Sequence, residues 1–270
     1  MEEFEETLRL PSTHEPSTAD QIEDCAKVLL EKGFSATAVQ KIIRVSPYLA
    51  RHSKRVGVRF DSLVQYGFVR DRLVRVCTKS PRILNSSRAN ILYKLNNFRA
   101  FGFTRVQIVE IIRRTPALMT MSTARINAAL INLCRHGIAK ADVRDMVNLN
   151  PGILSNSPEH TNMIYEYFEV KGYTQEQASD AFRRSPAILM SSVDRIDDQL
   201  YVFEQLGMDI SLYPKALIYA PELLMARARY LKSRMLDLDS SNMFIGNDKF
   251  YVKFGLTREQ LMEKHGGELQ

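Results

Sequence analysis

The chain has 270 residues, 45% of them apolar, which is enough to bury a core and excludes an intrinsically disordered polypeptide. Its 37 Lys and Arg stand against 31 Asp and Glu, a net charge of +6 that favours a polyanionic partner. No stretch approaches the roughly 18 to 20 apolar residues of a membrane-spanning helix, so no membrane association is expected. Cys25, Cys77 and Cys134 lie far apart without a CxxC pair, which argues against a disulfide framework or zinc module and makes them small core residues.

The first sixteen residues are acidic, with Glu2, Glu3, Glu5 and Glu6, and carry neither a signal-peptide apolar run nor an Arg-rich transit segment. Any targeting peptide is therefore expected to have been trimmed. Residues 20 to 32, with Leu29 four before Gly33, predict the second helix of an incomplete leading repeat.

From Gly33 onward the chain keeps a strict beat. Pro47, Pro81, Pro116, Pro151, Pro186 and Pro221 recur at intervals of 34, 35, 35, 35 and 35 residues. Gly33, Gly67, Gly102, Gly137, Gly172 and Gly207 each precede their proline by 14 residues. Coincident punctuation of this kind is the mark of a stacked helical repeat. Each glycine suits a left-handed helix stop, and the apolar residue after it can pack back on the finished helix. Thr104 with Gln107, Thr174 with Gln177 and Thr257 with Gln260 have capping-box spacing, so new helices start there.

The helix that follows each glycine places apolar residues 6, 9 and 10 positions on, as in Val39, Ile42 and Ile43 or Ile108, Ile111 and Ile112. These share one helical face. Proline then ends the helix, because it disfavours helical geometry in the residue before it and lacks an N–H. An aliphatic anchor two residues later (Leu49, Ile83, Leu118, Ile153, Ile188, Leu223) predicts one 3₁₀-like turn before the second helix. That second helix has apolar residues seven and four before the next glycine, such as Leu95 and Phe98. The expected fold class is therefore all-α, a helical-repeat solenoid. Its divisions are an acidic N-terminal segment with a leading partial repeat (1–32), six repeats (33–236) and a C-terminal helical cap (237–270).

The 35-residue beat, the Gly-apolar-Ser/Thr junction and the [Ser/Thr/Asn]-Pro-x-[Ile/Leu]-[Leu/Met] turn resemble the repeats of the mitochondrial transcription termination factor (mTERF) family, over about Gly33 to Leu236. Phe250-Tyr251-Val252-Lys253-Phe254 resembles the short helix that often closes such chains. The resemblance implies a left-handed superhelix of helix-helix-3₁₀ units working in mitochondria or chloroplasts. It implies binding to duplex DNA in transcription termination, or to structured RNA in ribosome assembly or splicing. The family's base-reading residues fall in no motif that can be aligned here.

Charge is distributed unevenly. Residues 33 to 136 hold nineteen Lys and Arg against three Asp and Glu, whereas residues 137 to 206 hold six against eleven. Cations gather around the proline turns: Arg44, Arg51, Lys54 and Arg55, then Lys79, Arg82 and Arg88, then Arg113, Arg114 and Arg125. Stacked turns would align them in a stripe suited to a phosphate backbone. A cation three before proline (Arg44, Arg113, Arg183) also stabilises a helix C-terminus. That role needs one cation per helix and does not account for the excess.

No enzymatic activity is expected. His14, His52, His136, His160 and His265 show no metal-ligand or nucleophile-relay spacing, phosphate-cradling glycine loops are absent, and no cofactor or metal is implied. Asp197-Asp198 and Asp237-Leu238-Asp239 read as solvated acidic surface. Aromatic residues read as core, with Tyr48 and Tyr66 the exceptions near the stripe. Two roles remain: a nucleic-acid binder, and a scaffold whose acidic middle repeats and cap dock a protein.

Overall fold

The computed structural model describes residues 17–208, 214, 217, 219–239 and 241–267. The acidic residues Glu2 to Glu6, His14 and most of the segment between Gly207 and Pro221 lie outside the described residues. Among the described residues there are fourteen α-helices and five 3₁₀ turns, with no strand. They fall into two compact units, divided between Met121 and Ser122.

The first unit opens with α1 (Ala19–Glu31), whose Thr18 and Gln21 form a capping box. Three first helices follow, α2 (Ala36–Val45), α4 (Arg70–Lys79) and α6 (Arg105–Arg114), interleaved with second helices α3 (Ser53–Tyr66) and α5 (Arg88–Phe101). The 3₁₀ turns Pro47–His52, Pro81–Asn85 and Pro116–Met119 each begin on the repeat proline. α2, α4 and α6 pack in one layer and α1, α3 and α5 in another. The turn at Pro47–His52 touches the turn at Pro81–Asn85, and the turn at Pro116–Met119 touches α4.

The second unit repeats the scheme. Its first helices are α8 (Lys140–Leu149) and α10 (Gln175–Arg184), and its second helices are α7 (Thr123–Arg135), α9 (Pro158–Val170) and α11 (Val193–Leu206). The turns Pro151–Ser155 and Pro186–Met190 pack against each other. Pro221 departs from the 3₁₀ turn expected after every repeat proline, because it is the first residue of α12 (Pro221–Ser233). A helix N1 position accepts proline's fixed φ and needs no N–H donor, so the chain enters an α-helix directly. α13 (Asn247–Phe254) and α14 (Arg258–His265) close the unit, with α14 packed on α12 and Tyr230 edge-on to Phe250 and Phe254.

The glycine junctions behave as their sequence implies. Gly102 holds φ at 108°, and the Phe103 N–H returns 3.1 Å to the Phe98 carbonyl while the two rings meet edge-on. The same return bond runs from Phe34 to Leu29, Phe68 to Leu63, Tyr173 to Phe168 and Met208 to Phe203. All three capping boxes expected from Thr104, Thr174 and Thr257 are formed. Cys25 and Cys77 are buried, and loss of hydration pushes their thiols up to about 11 and about 12.

Side-chain donors, several of them buried, tie second helices to the turn that follows. Arg59 Nη1 reaches the Leu84 carbonyl at 2.5 Å, and Lys94 Nζ reaches the Met119 carbonyl at 2.5 Å and also the Met121 carbonyl. Both cations occupy the position eight before the repeat glycine and are under 8% exposed. Desolvation lowers both of their pKa values. The donors satisfy carbonyls at the ends of 3₁₀ turns that have no helical partner. In the second unit Asn156 and His160 serve the Leu189 carbonyl, and Gln199 serves the Tyr219 carbonyl. Arg227, fully buried, donates to the Met243 and Ile245 carbonyls and to Asn247, with Phe250 4.3 Å from its guanidinium.

Two predictions follow from this packing. Ile111 is 1% exposed. Ile111→Asp should abolish the cooperative thermal transition of the first unit, since a lone carboxylate there lacks a partner, while Asp198→Ala should leave melting unchanged. Lys94→Ala should lower stability by about 1 to 3 kcal/mol, the cost of two carbonyls left without donors. A Lys94→Ala chain that melts like wild type would show that those carbonyls are served otherwise.

Candidate nucleic-acid interface

Each repeat brings three structural features to one end: the C-terminus of its first helix, its 3₁₀ turn and the N-terminus of its second helix. Arg44 ends α2, Arg51 lies in the following turn, and Lys54 and Arg55 open α3. Lys79 ends α4, Arg82 lies in its turn, and Arg88 opens α5. Arg113 and Arg114 end α6. These nine belong to the first unit, and all are exposed except Arg51, which is half-buried. Arg125 is an exposed residue of α7 in the second unit, where its Nη2 donates 2.9 Å to the Ser155 carbonyl.

The second helices begin at this same end, so their unsatisfied N–H groups face it. Ser87 Oγ accepts from the Asn90 N–H, which satisfies one of them. Helix N-termini and exposed guanidinium groups are complementary to the same anionic ligand. Tyr48, 45% exposed, stands in the first turn with its ring edge-on to His52 at 4.6 Å. Tyr66 lies elsewhere, at the C-terminus of α3, and Arg105 covers its ring at 5.2 Å. The Arg105 guanidinium also donates to the Gln65 and Tyr66 carbonyls, which makes it a clasp on the end of α3.

The sequence reading passed over Arg72 and Arg75, both exposed on α4. Together with Lys79 they lie three and four residues apart, on the side of the helix away from the buried Leu73, Val76 and Cys77. That spacing is visible in the sequence once the apolar face is assigned. The buried roles of Arg59 and Lys94 carried no such signal.

Arg113 is paired internally. Its Nε and Nη2 donate to the two Glu110 carboxylate oxygens at 2.7 and 2.5 Å. The hydrogen bond from Arg113 holds the Glu110 carboxyl below the usual range, and the charges of Arg113, Arg114 and Arg72 act in the same direction.

Within the second unit the acidic excess is confined to residues 137–206, where Asp145, Glu166, Glu169, Asp197 and Asp198 are among the exposed residues. A cleft of about 670 Å³ lies between α7, α9 and the start of α10. There the His136 ring stacks on Tyr165 at 3.7 Å, and Asn162 Oδ1 bridges His136 Nε2 and Asn132 Nδ2. These contacts tie α7 to α9. No group of three or more metal-ligating side chains occurs among the described residues, and none of their helices is long and apolar enough to cross a membrane.

A comparison with curated proteins finds no match. The mTERF family profile matches residues 9–129 and, in a second overlapping pass, residues 95–263. The two matches span both units and every glycine-proline repeat described above. The chain therefore belongs to the mTERF family, whose members are helical-repeat proteins associated with organellar nucleic acid and gene expression.

Proposed function

We propose that the first unit binds the phosphate backbone of duplex DNA within an organelle, in transcription termination or a related control of gene expression. The observation that carries this reading is the gathering of nine cations at the turn end of three successive repeats, Arg44 through Arg114. Neighbouring repeats place the cations at a regular spacing, as phosphates on a strand are regularly spaced. Electrostatic contact of this kind positions a duplex without reading its sequence. A-form RNA offers a similar backbone, and structured RNA in ribosome assembly or splicing is the alternative ligand. The mitochondrion is the proposed compartment, with the chloroplast as the other organelle.

A protein-scaffold role is supported by a separate observation, the acidic surface of residues 137–206 in the second unit. Asp145, Glu166, Glu169, Asp197 and Asp198 are exposed there and would repel phosphate. The same surface, with the helical cap, offers a docking place for a protein. The two roles are compatible in one chain.

Reversing Arg82, Arg113 and Arg114 to Glu should abolish binding to a duplex DNA or an RNA hairpin while helicity and melting stay as in wild type. Alanine at Arg82 should flatten the dependence of log affinity on log salt by about 0.9 for DNA, the contribution of one phosphate contact. Arg258→Glu, at the exposed start of α14, is the control and should change little. Equal losses at Arg258 and in the stripe would reduce the effect to general attraction. Unchanged binding by the triple variant would overturn the interface and favour the scaffold role.

A further inference from the structure

Position eight after the repeat glycine reaches solvent on every first helix described, exposed in three and half-buried at Glu110 and Asp180. Its occupants are Lys41, Arg75, Glu110, Asp145 and Asp180. Three and four residues further on stand Arg44 and Val45, Thr78 and Lys79, Arg113 and Arg114, Asn148 and Leu149, and Arg183 and Arg184. Where a carboxylate and two arginines coincide, the structure pairs them. Glu110 takes Arg113 in a two-point ion pair, and Asp180 takes Arg183 at 3.0 Å and Arg184 at 3.3 Å. Arg183 also reaches Asp142 at 3.5 Å.

Glu110 is the only Asp or Glu between Asp71 and Asp142. It sits on α6 at the end of the repeat where the stripe runs, and its side chain is 45% exposed. As a stabilising pair it has little to offer, because an exposed ion pair one helical turn apart contributes only about 0.2 to 0.5 kcal/mol. Its electrostatic consequence is larger. A planar carboxylate occupies the Nε and Nη2 edge of Arg113, the edge that would otherwise bind a phosphate through two hydrogen bonds.

We propose that Glu110 is an affinity-limiting residue of the nucleic-acid interface, a built-in counterion that holds Arg113 until phosphate displaces it. This rests on the reading of the first unit as a phosphate-binding surface. The same position holds a cation, Lys41 or Arg75, in the two preceding repeats, so the residue at this position sets how strongly each repeat holds the backbone. Moderate affinity keeps a sequence-tolerant backbone contact reversible, so that release remains fast.

The test uses the full chain with a fluorescently labelled mixed-sequence DNA duplex, with affinity measured across a salt series. Glu110→Gln should tighten binding roughly three- to tenfold at about 0.1 M salt and steepen the salt slope by about 0.9, one added phosphate contact. Glu110→Gln combined with Arg113→Ala should lose that gain. Asp198→Asn, which removes the same charge from the second unit, should leave the slope unchanged. Circular dichroism confirms that each variant is folded. An unchanged slope in Glu110→Gln, or a gain that survives Arg113→Ala, would overturn the proposal. If the Arg82/Arg113/Arg114 reversal abolishes binding while Glu110→Gln has no effect, only the role of Glu110 falls. If that reversal leaves binding intact, the interface itself falls and Glu110 with it.

Discussion

The paired stops of each repeat are the constraint on which the rest of the structure depends. A glycine with positive φ follows the helix that precedes each of the six repeats, from Gly33 at 95° to Gly207 at 64°, and lets the next residue turn back onto the core. Fourteen residues later a proline ends the first helix in the five repeats whose turns are described, and starts a 3₁₀ turn. Between these stops each helix has about ten to fourteen residues, too short to be stable alone. Their stability comes from the neighbouring repeats, which cover the faces carrying Ile42, Cys77 and Ile111. The same stops decide which end of each repeat carries the turn, and so where cations near proline must lie.

That geometry divides the cations into two populations with opposite physical roles. Arg59 and Lys94 point inward from second helices and end on carbonyls of the following turn. Arg82 and Arg88 lie within a few residues of those same turns and are exposed. Burial makes the first pair part of the packing, where a missing donor leaves carbonyls unsatisfied. Exposure leaves the second pair hydrated and available to exchange water for phosphate. The positive charge of the first unit is therefore more than a bulk property of composition: part of it holds the repeats together and part of it faces outward.

The fold was largely legible in the sequence because its determinants are local. Gly102, Thr104 with Gln107, and Pro116 each act within a few residues, so the helix ends could be read without knowing what packs where. The sixth repeat was less legible, since proline at Pro221 satisfies an α-helix N-terminus as well as it satisfies a 3₁₀ turn. For the candidate site the limits were of another kind. Lys94 and Lys79 are both lysines near a basic run, and only tertiary packing separates a buried donor from an exposed one. Likewise Glu110 looks like one residue in an amphipathic helix until the bond to Arg113 is seen. Arg72 and Arg75 were legible in principle through their spacing, once Leu73, Val76 and Cys77 define the buried face.

One repeat plan carries different charge along the chain: residues 33–136 hold nineteen Lys and Arg against three Asp and Glu, and residues 137–206 hold six against eleven. Protection of lysines from acetylation by bound duplex DNA, mapped residue by residue in the unmodified chain, tests the central claim most directly. Lys54 and Lys79, exposed at the turn end of the first unit, should become protected, whereas Lys171 and Lys249, exposed in the second, should react as in the free protein. Protection of Lys171 and Lys249 with Lys54 and Lys79 left reactive would contradict the account.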